Sequence, residues 1–99
     1  MFTWREERNK LNKKKHGLFL SEAVDAFDDP HLFEFYDAAH SSVDEDRYIS
    51  LGCIRDTVVL FAITTDKGDG DTQIISARKA TQKEQEVYYA NYKKETGGN

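Results

Sequence analysis

Histidine, arginine, lysine and tyrosine are the residue types here that could act on a phosphate ester, and they are spread along the chain. His16 and His40 can exchange a proton near neutral pH and so could serve as general acid or base. A lone histidine in a polar stretch reads equally as a solvated surface residue. Arg78 ends a strand-like run just before Thr81-Gln82-Lys83-Glu84, which has the form of a capping box. A guanidinium beside the free N–H groups of a helix start makes a phosphate site, with Lys79 next to it. The even alternative is an Arg78 paired with one of the many carboxylates. Lys13-Lys14-Lys15-His16 could also hold phosphate, although a basic last turn stabilises a helix C-terminus without any ligand. Glu84, Tyr88 and Tyr92 follow one another at i, i+4 and i+8 on one helix face, a spacing that core packing explains as well.

Other chemistries fit poorly. The Asp66–Asp71 loop has Gly68 at the third position of a calcium loop and Ala77 at the twelfth, where a bidentate Glu is needed, so it reads as a turn. Asp37, His40, Asp44, Glu45 and Asp46 match no recognised metal-ligand spacing and read as an acidic loop, with a metal site the weaker alternative. Cys53 is alone, which excludes an intramolecular disulfide or a Cys-based zinc cluster. No nucleophile elbow, HExxH, CxxC or phosphate-cradling glycine loop is present.

The elements that must position these groups follow from pattern. Ninety-nine residues allow one domain, expected over 1–95 with 96–99 a frayed tail. The longest apolar run, Val58–Ile63, is six residues, and the N-terminus reads as no signal peptide, so a soluble, cytoplasmic protein is expected. Net charge is -4 but uneven: residues 1–16 carry +4, residues 17–50 carry -8, and the remainder balances. That excludes a uniformly basic nucleic-acid binder while leaving room for a local basic patch. Phe2 and Trp4 alternate like a short strand. Arg5–His16 is rich in helix formers with Leu11 its one apolar residue, and Gly17 fits a left-handed stop. Leu20, Ala23, Val24 and Phe27 form an apolar helical stripe behind Ser21 as N-cap, ended by Pro30. Runs at 31–36, 47–53, 57–65 and 72–78 read as strands, and the capping box opens a helix to about Lys93. The order predicts an α+β fold: a short strand, two helices, a four-stranded antiparallel meander and a C-terminal helix, with Trp4, Phe27, Phe35 and Phe61 in the core.

Phe2-x-Trp4, Asn12, Lys15-His16-Gly17, Glu22-Ala23, Phe27-x-Asp29-Pro30, Asp37-x-x-His40-Ser41, Glu45-x-Arg47, Gly52 and Ile74–Thr81 with Glu84 and Tyr88 form an ordered series. In sequence and spacing it resembles the BrnT family of type II toxin–antitoxin toxins. The resemblance implies a RelE-like fold, ribonuclease activity that inhibits translation, and neutralisation by a BrnA-like antitoxin that carries the DNA-binding function. Two residues depart from the family pattern: Gln73 stands where an Arg is common, and Arg5 where an acid is usual.

Cleavage of RNA without metal or other cofactor needs a base for the 2′-hydroxyl, a cation for the developing charge and an acid for the leaving oxygen. Arg78 is expected to stabilise charge with Arg47 assisting, His40 or His16 to act as acid or base, and Tyr88 to position phosphate or stack on a base. Lys15 and Lys79 are expected to bind substrate, an RNA either free or associated with the ribosome. The competing reading is a non-catalytic binding module that keeps the fold and the antitoxin interface, which the acidic net charge and Gln73 favour.

Overall fold

Val58–Ile63 lies at the middle of a five-stranded sheet in the computed structural model, which describes residues 1–97. The chain runs β1 (Phe2–Thr3), α1 (Glu6–His16), α2 (Leu20–Ala23), a 3-10 turn (Val24–Asp28), β2 (Phe33–Tyr36), β3 (Arg47–Ile54), β4 (Val58–Asp66), β5 (Thr72–Lys79) and α3 (Gln82–Glu95). Strand order is β1-β5-β4-β3-β2. The meander β2–β5 is antiparallel as its short connections require, while β1 joins β5 in parallel, pairing Phe2 with Thr72 and Thr3 with Gln73.

β4 is apolar on both faces because both are covered. On one face, Ile54, Leu60, Ala62, Ile74 and Ala77 pack with Leu20, Ala23 and Ala26 from the helical segment, with Phe2, Trp4 and Phe27 against them. On the other, Leu51 and Val59 pack with Ala80 and Tyr88 of α3, flanked by Phe33, Cys53 and Phe61. α3 covers only part of that second face. Phe35, expected in the core, is 39% exposed there, and Ile49 and Ile63 are half-buried. Trp4, Phe27 and Phe61 are likewise half-buried at the edges of the two cores.

α1 is held by polar groups. Asn12 Nδ2 donates to the Leu18 and Ala77 carbonyls (2.7 and 2.8 Å), and its Oδ1 accepts from the Ala77 N–H. A side-chain amide thus pairs with the edge of β5 where the two-residue β1 no longer reaches. Asn9 Oδ1 accepts from Leu20 N at 2.6 Å, and Glu22 Oε2 accepts from Phe19 N, so α2 begins after Phe19 rather than at Ser21. α2 lasts one turn before tightening to 3-10 geometry. Gly52 lets β3 approach that turn: a Cβ there would lie 2.5 Å from the Ala26 carbonyl oxygen. β2 starts at Phe33, two residues later than its aromatic run suggests, because Asp29 captures the His31 N–H in a turn.

Asp66–Asp71 is a hairpin turn, with Gly68 N–H on Asp66 Oδ1. At the C-terminus the Thr96 hydroxyl donates to the Tyr92 carbonyl; the last two residues of the expected tail, 98–99, lie outside the described residues. Among the described residues, no helix is long and apolar enough to cross a membrane.

Candidate active site

Asp37 continues the β2–β3 ladder by one residue, its N–H donating to the Arg47 carbonyl at 2.8 Å. Its carboxylate turns under the following loop and accepts from the His40 backbone N–H (Oδ1) and meets the ring at Nδ1 (Oδ2, 2.8 Å). Asp37 is 5% exposed, whereas the His40 side chain is 63% exposed. A buried carboxylate therefore fixes the imidazole through Nδ1 and leaves Nε2 facing solvent, the arrangement of an oriented general base. Ser41 ties the loop down: its Oγ donates to the Asp37 carbonyl and accepts from Arg47 N–H.

Arg47 opens β3 beside this pair. Its Nε donates to Glu45 Oε1 at 2.8 Å, which holds the Glu45 carboxyl below its ordinary range. Its two terminal nitrogens have no protein partner among the described residues. The cross-strand register aligns Arg47 with Thr65, and Thr65 with Gln73. Gln73 thus lies in the Arg47 row, two strands away. Arg47, Ile49, Phe35 and Ile63 together form the part of the sheet face that α3 leaves open.

Arg78 projects from β5 onto the same face, since its partner Phe61 pairs in turn with Leu51. It does not meet Arg47. Four residues along and two strands across place their Cα atoms about 16 Å apart. The guanidinium lies 4.0 Å from the Phe61 ring centroid and grips Glu84 with two nitrogens, at 2.7 and 3.0 Å. That hydrogen bonding raises Arg78 further above its ordinary value and lowers the Glu84 carboxyl. Of the two sequence-level readings of Arg78, the carboxylate pair is the one formed. Both partners remain partly exposed, at 32% and 25%.

His16, Lys15 and Lys79 belong elsewhere. His16 and Lys79 line one cavity at the opposite end of the sheet, on the face that carries α1, and Lys15 is exposed in the last turn of that helix. Tyr88 is 2% exposed, and its hydroxyl donates to Asp29 Oδ2 at 2.5 Å. Burial and the adjoining carboxylate push that hydroxyl well above its ordinary value, so it stays protonated. Burial alone would raise Asp29, but this bond and the N–H groups of His31 and Cys53 hold it below its usual value. Tyr88 fastens α3 to the sheet and offers no free ring face for a base, contrary to the stacking role expected of it.

The expected set therefore separates into His40 with Arg47, Arg78 with Glu84, and His16 with Lys79. Asp37 was read as part of an acidic loop and of the Asp37-x-x-His40-Ser41 series but was given no role, although Asp-x-x-His is the spacing at which a turn aspartate reaches the ring three residues on. Among the described residues, no three His, Cys, Asp or Glu side chains gather as a metal set.

The family model described as "Ribonuclease toxin, BrnT, of type II toxin-antitoxin system" matches residues 4–84. No curated protein matches the sequence. Among solved structures, the chain is similar to the crystal structure of the Brucella abortus ribonuclease toxin, BrnT. The TM-score is 0.65 at 24% identity, over 83% of this chain and 99% of that one. That likeness concerns the fold.

Proposed function

We propose that this chain, which belongs to the BrnT family of ribonuclease toxins of type II toxin–antitoxin systems, cuts RNA without a metal ion at the row that carries His40 and Arg47. The observation that carries this reading is the buried Asp37 holding the exposed His40 ring in a loop whose backbone bonds to that of Arg47. In the reaction, His40 Nε2 takes the proton of an RNA 2′-hydroxyl. The 2′-oxygen bonds to the adjacent phosphorus, the bond to the 5′-oxygen breaks, and that oxygen takes a proton from solvent, which reaches the exposed row. The free terminal nitrogens of Arg47 stabilise the charge that builds on the phosphoryl oxygens. The products are a 2′,3′-cyclic phosphate and a 5′-hydroxyl. Arg78 contacts a neighbouring phosphate, which competes with Glu84 for the guanidinium.

The family implies a cognate antitoxin. In this proposal the partner is BrnA-like, DNA is bound only through it, and the free toxin acts in the cytoplasm on RNA, inhibiting translation. A non-catalytic binding module is the second reading, favoured by the closed Arg78–Glu84 fork and by Gln73 in the Arg47 row. One experiment separates them. Antitoxin-free protein is incubated with RNA in EDTA, alone and with ribosomes. The nuclease reading expects fragments ending in cyclic phosphate and no cut at a 2′-deoxy position. Intact RNA under both conditions would contradict the nuclease reading and leave the binding module as the reading to test by antitoxin affinity.

A further inference from the structure

The cavity at the far end of the sheet has a construction of its own. It is about 240 Å³, with apolar walls from Leu18, Ile54, Val58 and Leu60, the imidazole of His16, and Arg55 and Lys79 as its cations. The one carboxylate among its lining residues, Glu22, is engaged by the Phe19 N–H at 2.7 Å. No ion pair or side-chain hydrogen bond holds His16, Arg55 or Lys79 among the described residues, in contrast to Arg47 and Arg78. The three come from separate elements fixed against each other. α1, which ends at His16, is clamped to β5 through Asn12 and Ala77, two residues before Lys79. Arg55 sits in the β3–β4 hairpin with φ +51, followed by Asp56 at φ +59. Two consecutive left-handed residues suit Gly, Asn or Asp, so Arg55 is the costly one of the pair.

We infer that this cavity is a second phosphate-binding site, which holds a backbone phosphate of an RNA strand away from the cut. The inference rests on the nuclease reading for the identity of the ligand but not on catalysis. Arg78 and Lys79 are consecutive on β5 and point to opposite faces, so a strand crossing the end of β5 meets cations on both sides.

The test uses the full chain and a fluorescein-labelled single-stranded RNA with 2′-O-methyl sugars, which cannot be cut because its nucleophile is blocked. Anisotropy is measured across a salt series for wild type, Lys79→Gln and Arg55→Gly, together with thermal stability. Lys79→Gln should weaken binding about tenfold and make the salt slope shallower by about 0.7. Arg55→Gly should raise the melting temperature, because glycine fits the turn, and still lose a similar factor in affinity. A structural role for Arg55 would move both in one direction. Wild-type affinity and salt slope in Arg55→Gly would overturn the inference. So would His16 imidazole NMR signals that respond to inorganic phosphate while neither variant alters RNA affinity, since the cavity would then serve free phosphate. Tight cavity-dependent binding with no cleavage of ordinary RNA would overturn the nuclease reading alone.

Discussion

At position 73, a single side chain bears on how strongly this molecule can act. Gln73 lies in the row of Arg47, two strands or about 10 Å away, close enough for two side chains to meet one phosphate between them. With glutamine there, that phosphate meets a single guanidinium. Gln73→Arg should raise kcat/KM for RNA cleavage by about tenfold, because a further charge-assisted contact on a developing anion is worth more than 1 kcal/mol. A rate unchanged by the substitution would show that the phosphate does not span this row. The residue types at the site were readable from sequence because Asp-x-x-His and an early-strand Arg carry their chemistry in their identity. What sequence could not show was the burial of Asp37 beneath the loop, which decides that the imidazole is oriented rather than merely solvated.

Among the elements, α1 shows where pattern reading fails. Its one apolar residue, Leu11, is 51% exposed, while Asn9 and Asn12 are 7% and 5% exposed. Amphipathicity assumes that attachment is apolar, and here the attachment is a set of side-chain amide hydrogen bonds to backbone groups, at Ala77 on the β5 edge beyond β1 and at Leu18 and Leu20 around the start of α2. Asn12→Ala should cost about 3 kcal/mol in urea unfolding by stranding the Ala77 N–H and two carbonyls, whereas Leu11→Ala should stay within about 0.5 kcal/mol. The start of α3 was legible to the residue, because Thr81 and Glu84 cap it reciprocally and such signals are local. The Arg78–Glu84 contact adds a pH dependence. Glu84 titrates below its ordinary 4.5 in the folded protein, so its contribution is complete above that pH and is lost as pH falls through the lowered value. Glu84→Gln keeps the capping geometry and should flatten the acid limb of a stability-versus-pH curve, at a cost of about 1 kcal/mol near neutrality. An acid limb as steep as wild type would place that dependence in other carboxylates.

Across the whole molecule, α3 covers only part of its sheet face, which leaves an open floor bordered by Arg47 and Arg78. The acidic charge of residues 17–50 reaches this floor, since Asp37, Asp44, Glu45 and Asp46 flank His40 and Arg47. An RNA phosphate must therefore be drawn by the guanidinium itself rather than by the net field. The α+β order and the meander were legible because each strand is short, patterned and joined to the next. Convergence was not, since it depends on register: one face carries both arginines, yet at separate ends, with His16 and Lys79 behind them. The most direct measurement is single-turnover cleavage of one RNA by wild type and His40→Ala, in EDTA, with RNA affinity measured alongside. The account predicts a fall of at least about 100-fold in rate with affinity preserved, as expected for loss of a general base. A variant that cleaves at the wild-type rate would contradict it.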